Sequence, residues 1–122
     1  MNKEEVTKEL SAISAEFGYY PYGFFNILHN SDNPNLDFDE QNKGWEFVKN
    51  EDWHNLDLSN YLLWSISDNG DLLWWNGSQT VALNPRGSEF ISVPVNPKQF
   101  IRLVGMGKIG NIFPSQLWEE NA

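Results

Sequence analysis

Two Asn-Gly pairs, Asn69-Gly70 and Asn76-Gly77, interrupt the apolar stretch LLWSISDNGDLLWWNGSQTVAL. Asn-Gly tolerates positive φ at both central positions of a type I′ turn, whose twist suits antiparallel strands. Each pair is therefore expected to close a hairpin, giving a three-stranded meander over Tyr61 to Leu83. With Asn69-Gly70 as the loop, Asp68 faces Asp71, Ile66 faces Leu73 and Trp64 faces Trp75. With Asn76-Gly77 as the loop, Trp75 faces Ser78, Leu73 faces Thr80 and Leu72 faces Val81. Alternation then puts Leu62, Trp64, Ile66, Leu73 and Trp75 on one face, and Leu63, Leu72, Trp74, Val81 and Leu83 on the other. Both faces are apolar, so both are expected to be largely covered. A calcium loop is a poor match: an EF-hand wants glycine at the sixth position and Glu at the twelfth, whereas Gly70 is third from Asp68 and Gln79 is twelfth.

On either side of the meander the pattern is helical or turn-like. Val6, Leu10, Ile13 and Phe17 form one stripe of a first helix ending at Gly18. Pro21 can start a second, shorter helix through Tyr22, Phe24, Phe25, Leu28 and His29, broken by Asn30 to Asn35. From Leu36 to Asn60 the pattern is poor. Trp45, Phe47, Trp53, Leu56 and Leu58 supply apolar anchors, with at most a short strand or turn at Gly44 to Val48. Asn84-Pro85-Arg86-Gly87 reads as a type I turn leading to a strand from Glu89 to Val93. Asn96-Pro97-Lys98-Gln99 carries N-cap and first-turn signals, followed by Phe100, Leu103 and Val104 as the inward stripe of a helix reaching Gly105 or Gly107. Ile112-Phe113-Pro114 with Leu117 and Trp118 is expected to form a closing turn. The order predicts a single α+β domain over residues 1–122: an antiparallel-rich sheet of about four or more strands, with terminal helices packed on one face.

The 122 residues include six Trp, four Tyr and eight Phe, an apolar load that argues against disorder. The absence of cysteine removes disulfides and thiol chemistry and fits a reducing compartment. No secretory or membrane-spanning pattern is visible, so a cytoplasmic protein is expected. A net charge of −9 disfavours free nucleic acid and anionic membranes as partners. That charge is uneven. Between Ser31 and Leu58, eight carboxylates (Asp32, Asp37, Asp39, Glu40, Glu46, Glu51, Asp52 and Asp57) stand against Lys43 and Lys49, a net of −6; from Arg86 to Lys108, four cations oppose Glu89 alone, a net of +3.

Reaction chemistry finds little support. His29 and His54 lack any i, i+4 partner of ligand type, so no metal is expected. There is no G-x-S-x-G, and Gly87-Ser88 opens a strand. GMGKIG, from Gly105 to Gly110, follows a helix and lacks the Lys-Ser/Thr of a phosphate loop, so it reads as a helix stop. Carboxylate pairs such as Asp37/Asp39 and Glu51/Asp52 are too numerous for any one to mark a glycosidase. The expectation is a protein without catalytic residues or cofactor.

Four features together resemble the SUKH superfamily, whose bacterial members are largely immunity proteins of polymorphic toxin systems. They are an amino-terminal helix leading through GYYPYGFFNIL into a short second helix; the strand-turn-strand NYLLWSISDNGDLLWW, with Gly70-Asp71 matching the family's Gly-Asp turn; the strands TVAL and EFISVPV; and the late helix NPKQFIRLV with its central Phe100. The likeness is weakest from Leu36 to Asn60. It implies a protein that binds another protein, commonly a toxin domain and often a nuclease, and blocks it. A carboxylate-rich surface suits a basic substrate groove and finds it quickly by electrostatic steering. The expected partner-binding residues are therefore Asp37, Asp39, Glu40, Glu46, Glu51 and Asp52, with Trp45 or Trp53 as aromatic anchors. Two other readings stand beside this one: an intracellular scaffold or regulator of the same fold, and a carbohydrate-binding domain stacking sugars on Trp74, Trp75 or Trp53.

Overall fold

The computed structural model of the protein describes residues 1–53, 56–87, 89–109 and 113. Helix α1 spans Lys3–Phe17 and buries Val6, Leu10 and Ile13, the stripe its spacing predicts. Asn2 caps it, its Oδ1 accepting from the Glu5 N–H at 2.9 Å, and Glu4 and Glu5 lie at the positive end of the helix dipole. Gly18 ends it as expected, donating to Ser14 O.

Next comes a 3-10 turn, Pro21–Gly23, and then strand β1, Phe25–Ile27, in place of the expected second helix. Proline starts only one turn because Tyr22 leaves helical space with φ 59°. Phe25 and Ile27 are buried while Asn26 between them is half-buried, so this aromatic run follows a period of two.

The remaining strands are β2 (Leu62–Ser67), β3 (Leu72–Trp75), β4 (Thr80–Asn84) and β5 (Glu89–Val93), followed by helix α3 (Pro97–Gly105). All five pair antiparallel in the order β1-β2-β3-β4-β5. The meander, the β5 strand and the Asn84–Gly87 turn form where they are expected, the turn closed by Gly87 N–H to Asn84 O at 3.2 Å. Asn96 caps α3, its Oδ1 accepting from the Gln99 N–H at 2.8 Å. The helix stops at Gly105, so the described part of GMGKIG is a terminus.

The hairpin registers differ from the two-residue Asn-Gly loops. At the first turn Gly70 N–H bonds Ser67 O and Ser67 N–H bonds Asp71 O, so the loop is Asp68-Asn69-Gly70, with Gly70 at φ 84°. That is the three-residue connection with a left-handed closing residue, which glycine occupies without a Cβ clash. At the second, Asn76 N–H bonds Gln79 O, leaving Gly77-Ser78 as the loop and Trp75 opposite Thr80. Leu73 therefore faces Ala82 and Leu72 faces Leu83, two residues along from the expected partners. Within β2 the register also shifts between Leu63 and Ser65: Leu63 pairs with Trp74 but Ile66 pairs with Leu72. This bulge moves Ile66 to the face of Leu72 and Trp74, and turns Ser65 toward Leu73.

Both faces are covered, as their apolar composition requires. On one, Trp64 meets Phe100 of α3 edge-on at 6.2 Å, and Phe113 packs between Phe25 and Phe100. On the other lie Leu63, Leu72, Trp74, Val81 and Leu83, all fully buried. Burying each such side chain stabilises by about 1.5–3 kcal/mol. Here the segment expected to hold at most a strand or turn forms helix α2 (Phe38–Gly44) and a 3-10 turn, Glu46–Asn50. Asn42 docks α2 on β2, donating to Leu63 O at 2.9 Å and accepting from Leu63 N–H at 2.8 Å. Lys49 Nζ lies 5.6 Å above the Trp74 ring. Apart from Phe113, the expected closing turn around Leu117 and Trp118 lies outside the described residues, as does His54.

Candidate functional site

The eight residues singled out for partner binding lie between the start of α2 and the loop after the 3-10 turn, and they divide by role. Asp37 is the N-cap of α2. Its Oδ1 accepts from the Ser31 N–H and its Oδ2 from the Glu40 N–H, each at 3.1 Å. Those two backbone donors, Ser31 first, hold its carboxyl below the usual aspartate range. Trp53 is only 4% exposed, and its indole N–H donates to Val48 O at 2.9 Å. It packs this segment from within and corrects the expectation of an anchor there.

The other carboxylates are on the surface. Asp39 meets Lys3 at 2.8 Å, with the two side chains 67% and 59% exposed, a solvated pair that holds little energy. Glu40, Glu51 and Asp52 are exposed. Glu46 is 63% exposed and lies 3.3 Å from Lys49 Nζ, whose side chain is only 10% exposed. Lys49 is thus held between an outer carboxylate and the indole face of Trp74 beneath it, while Lys43, on the last turn of α2, is an exposed cation within the same segment.

Trp45 is half-buried, and its indole N–H is fixed by Gln41 Oε1 at 3.0 Å. Against it stacks Phe47, with centroids 5.8 Å apart and planes 27° from parallel. Phe47 is 56% exposed. Its sequence reading as an inward anchor is one residue out: Val48, next along, is the fully buried side chain. The signal for Phe47 was its place between charged Glu46 and Val48-Lys49 on a single 3-10 turn, where adjacent side chains cannot both point inward.

Beside Trp45 runs a groove of about 300 Å³ lined by Asn26, Asn35, Leu36, Gln41, Trp45 and Ile66. The bulge in β2 is what brings Ile66 to it. The three rings proposed as sugar platforms are not at any such surface: Trp74 is 0%, Trp75 9% and Trp53 4% exposed. Among the described residues no group of three or more His, Asp or Glu could hold a metal ion, and no helix is long and apolar enough to cross a membrane. Comparison with protein-family models, curated proteins and solved structures finds no match to this chain.

Proposed function

We propose that this chain is a non-catalytic protein-binding domain of the immunity type, which neutralises a cationic toxin domain, such as a nuclease, by covering it. The observation that carries the reading is the exposure of Asp39, Glu40, Glu46, Glu51 and Asp52 along one segment that also holds the Trp45–Phe47 stack. Interfaces of high affinity combine an aromatic anchor with a polar rim, and charge of one sign speeds encounter with the opposite sign. The resemblance of GYYPYGFFNIL, NYLLWSISDNGDLLWW and NPKQFIRLV to SUKH proteins supplies the class of partner. The bacterial cytoplasm is the corresponding location. An intracellular scaffold of the same fold would use the same surface on a different protein.

The test is titration calorimetry with a cationic nuclease-toxin domain, taken from a neighbouring gene where the genome carries one. Stoichiometric binding that weakens about tenfold or more between 50 and 300 mM salt is expected for a charge-steered interface. Absence of binding, or binding unchanged by a charge-reversed Glu40→Lys/Glu46→Lys/Glu51→Lys variant, overturns the reading.

A further inference from the structure

The groove beside Trp45 has a composition that the acidic surface around it does not share. Its walls are neutral. Leu36, Ile66 and the Trp45 ring are apolar or aromatic, while Asn26, Asn35 and Gln41 bring carboxamides. Gln41 is committed, with Nε2 donating to Pro34 O at 2.8 Å and Oε1 accepting from Trp45. Asn26 is committed on its donor side only, its Nδ2 bonding Ile66 O and Asp68 Oδ1, each at 3.0 Å. Among the described residues that leaves its Oδ1 to accept.

One carboxylate, Asp68, touches this neutral lining through Asn26. Asp68 is held by Asn26 and by the Tyr20 hydroxyl, both neutral donors, so its charge is unmatched by any ion pair among the described residues. Glu40, exposed on the first turn of α2, adjoins Gln41 in the chain, whereas the charge of Asp39 is met by Lys3. A site with an aromatic ring held rigid by Phe47 and Gln41, carbonyl acceptors, an apolar floor and a nearby anionic field favours a flat, weakly hydrated cation with several donors. That description is a guanidinium. An ammonium is a compact, strongly hydrated charge that loses more on leaving water and cannot stack.

We infer that the groove of Asn26, Asn35, Leu36, Gln41, Trp45 and Ile66 is the receiving pocket for an arginine side chain of the partner protein. The guanidinium lies along the Trp45 ring and donates to Asn26 Oδ1 and the Asn35 carboxamide. This inference deepens the occlusion reading and rests on it for the claim that the occupant belongs to a protein. Toxin surfaces that bind nucleic acid carry arginines for phosphate, and the same side chains would be taken here.

The experiment uses the full ¹⁵N-labelled chain and three probes: a capped Gly-Arg-Gly peptide, a capped Gly-Lys-Gly peptide and neutral chitotriose. The readouts are the Trp45 indole N–H and the Asn26 and Asn35 side-chain amides. Saturable shifts at these three groups with the arginine peptide are expected, about threefold or more tighter than with lysine, from the stacking contribution. In Trp45→Leu, with its fold checked by circular dichroism, the arginine preference disappears, while Asp68→Asn, which keeps an acceptor oxygen for Asn26 or Tyr20, weakens both peptides alike. Equal response to arginine and lysine, a response confined to the backbone amides of Asp39 and Glu40, or saturation by chitotriose without arginine each overturns the pocket. If the toxin domain binds but arginine is not preferred, the pocket falls and occlusion stands. If arginine is preferred but the toxin domain does not bind, occlusion falls and the pocket stands.

Discussion

Ser67 and Asp71 are tied to each other three times across the β2–β3 turn. Ser67 N–H donates to Asp71 O at 2.9 Å, the Asp71 N–H donates to Ser67 Oγ at 3.0 Å, and Ser67 Oγ donates to the Asp71 carboxylate at 2.6 Å. Asp71 is fully buried, and its other oxygen accepts from Asn84 Nδ2 at 3.0 Å, which fastens the end of β4 to the same turn. A carboxylate so placed organises three strands and is inaccessible to a ligand.

Replacing it should therefore damage the fold. Asp71→Ala leaves Ser67 Oγ and Asn84 Nδ2 without acceptors in a buried place, a cost of about 2–3 kcal/mol in total stability. Urea unfolding measures it as a lower midpoint with an unchanged slope. A loss under about 0.5 kcal/mol, the size of an ordinary surface change, would show that the network is dispensable.

What the residues disclose before any coordinates follows from how local each signal is. Gly18, Asn96 and Asn84-Pro85-Arg86-Gly87 act within four residues of themselves, so α1, α3 and the β4–β5 turn are readable. Strand β1 is not, because Phe24-Phe25 and Ile27-Leu28 satisfy helical spacing as well as alternation, and pairing with β2 decides between them. Helix α2 is hidden for another reason: of its seven residues only Phe38 is buried, and one residue makes no periodicity. The β2 bulge falls among Leu63, Trp64 and Ser65, all buried, so no exposed residue marks it. For the candidate interface, charge picks out a segment most of whose carboxylates are exposed, but side-chain direction within it is not legible. Asp37 is turned to cap, Trp53 to the core, and Phe47 outward in place of Val48.

Gly105 is required by contact. A Cβ there would lie 2.8 Å from Tyr22 Cζ, on a ring whose hydroxyl donates to Ile101 O at 2.7 Å and whose backbone already sits at positive φ. Gly105→Ala is expected to cost about 1–3 kcal/mol by overpacking. In a Tyr22→Ala background the sign reverses, since the clash is gone and alanine's helix propensity favours the change by up to about 1 kcal/mol. A double-mutant cycle by thermal unfolding reads the coupling directly, and additive effects would exclude the contact as the cause.

Acid should reveal the cap of α2. The fold lowers the Asp37 pKa through the Ser31 and Glu40 N–H groups, so its charged form stabilises the native state. The sign follows: this contribution is complete above the ordinary aspartate pKa and is lost as pH falls through the lower folded value. Asp37→Asn keeps an acceptor for the helix end but cannot titrate. Its melting temperature should fall less steeply than that of the parent protein on acidification below about pH 4. Some acid sensitivity persists in both, because the Arg102 partner of Glu16 and the Ser59 N–H on Asp57 lower those groups too. Parallel curves for the two proteins would remove Asp37 from the account.

Trp53 and Phe47, six residues apart and both aromatic, should separate stability from recognition. Trp53 is buried and hydrogen-bonded, so Trp53→Ala opens a cavity and costs about 3–5 kcal/mol. Phe47 is more than half exposed, and Phe47→Ser should leave the urea midpoint within about 0.5 kcal/mol of the parent. The same substitution removes the ring that supports Trp45 within the acidic segment, so affinity for the toxin domain should fall about tenfold or more, the range of an aromatic anchor. Calorimetry on the folded Phe47→Ser protein decides the matter. If its affinity matches that of the parent while Glu46→Lys still weakens binding, the carboxylates act without an aromatic centre and the contact is rim electrostatics alone.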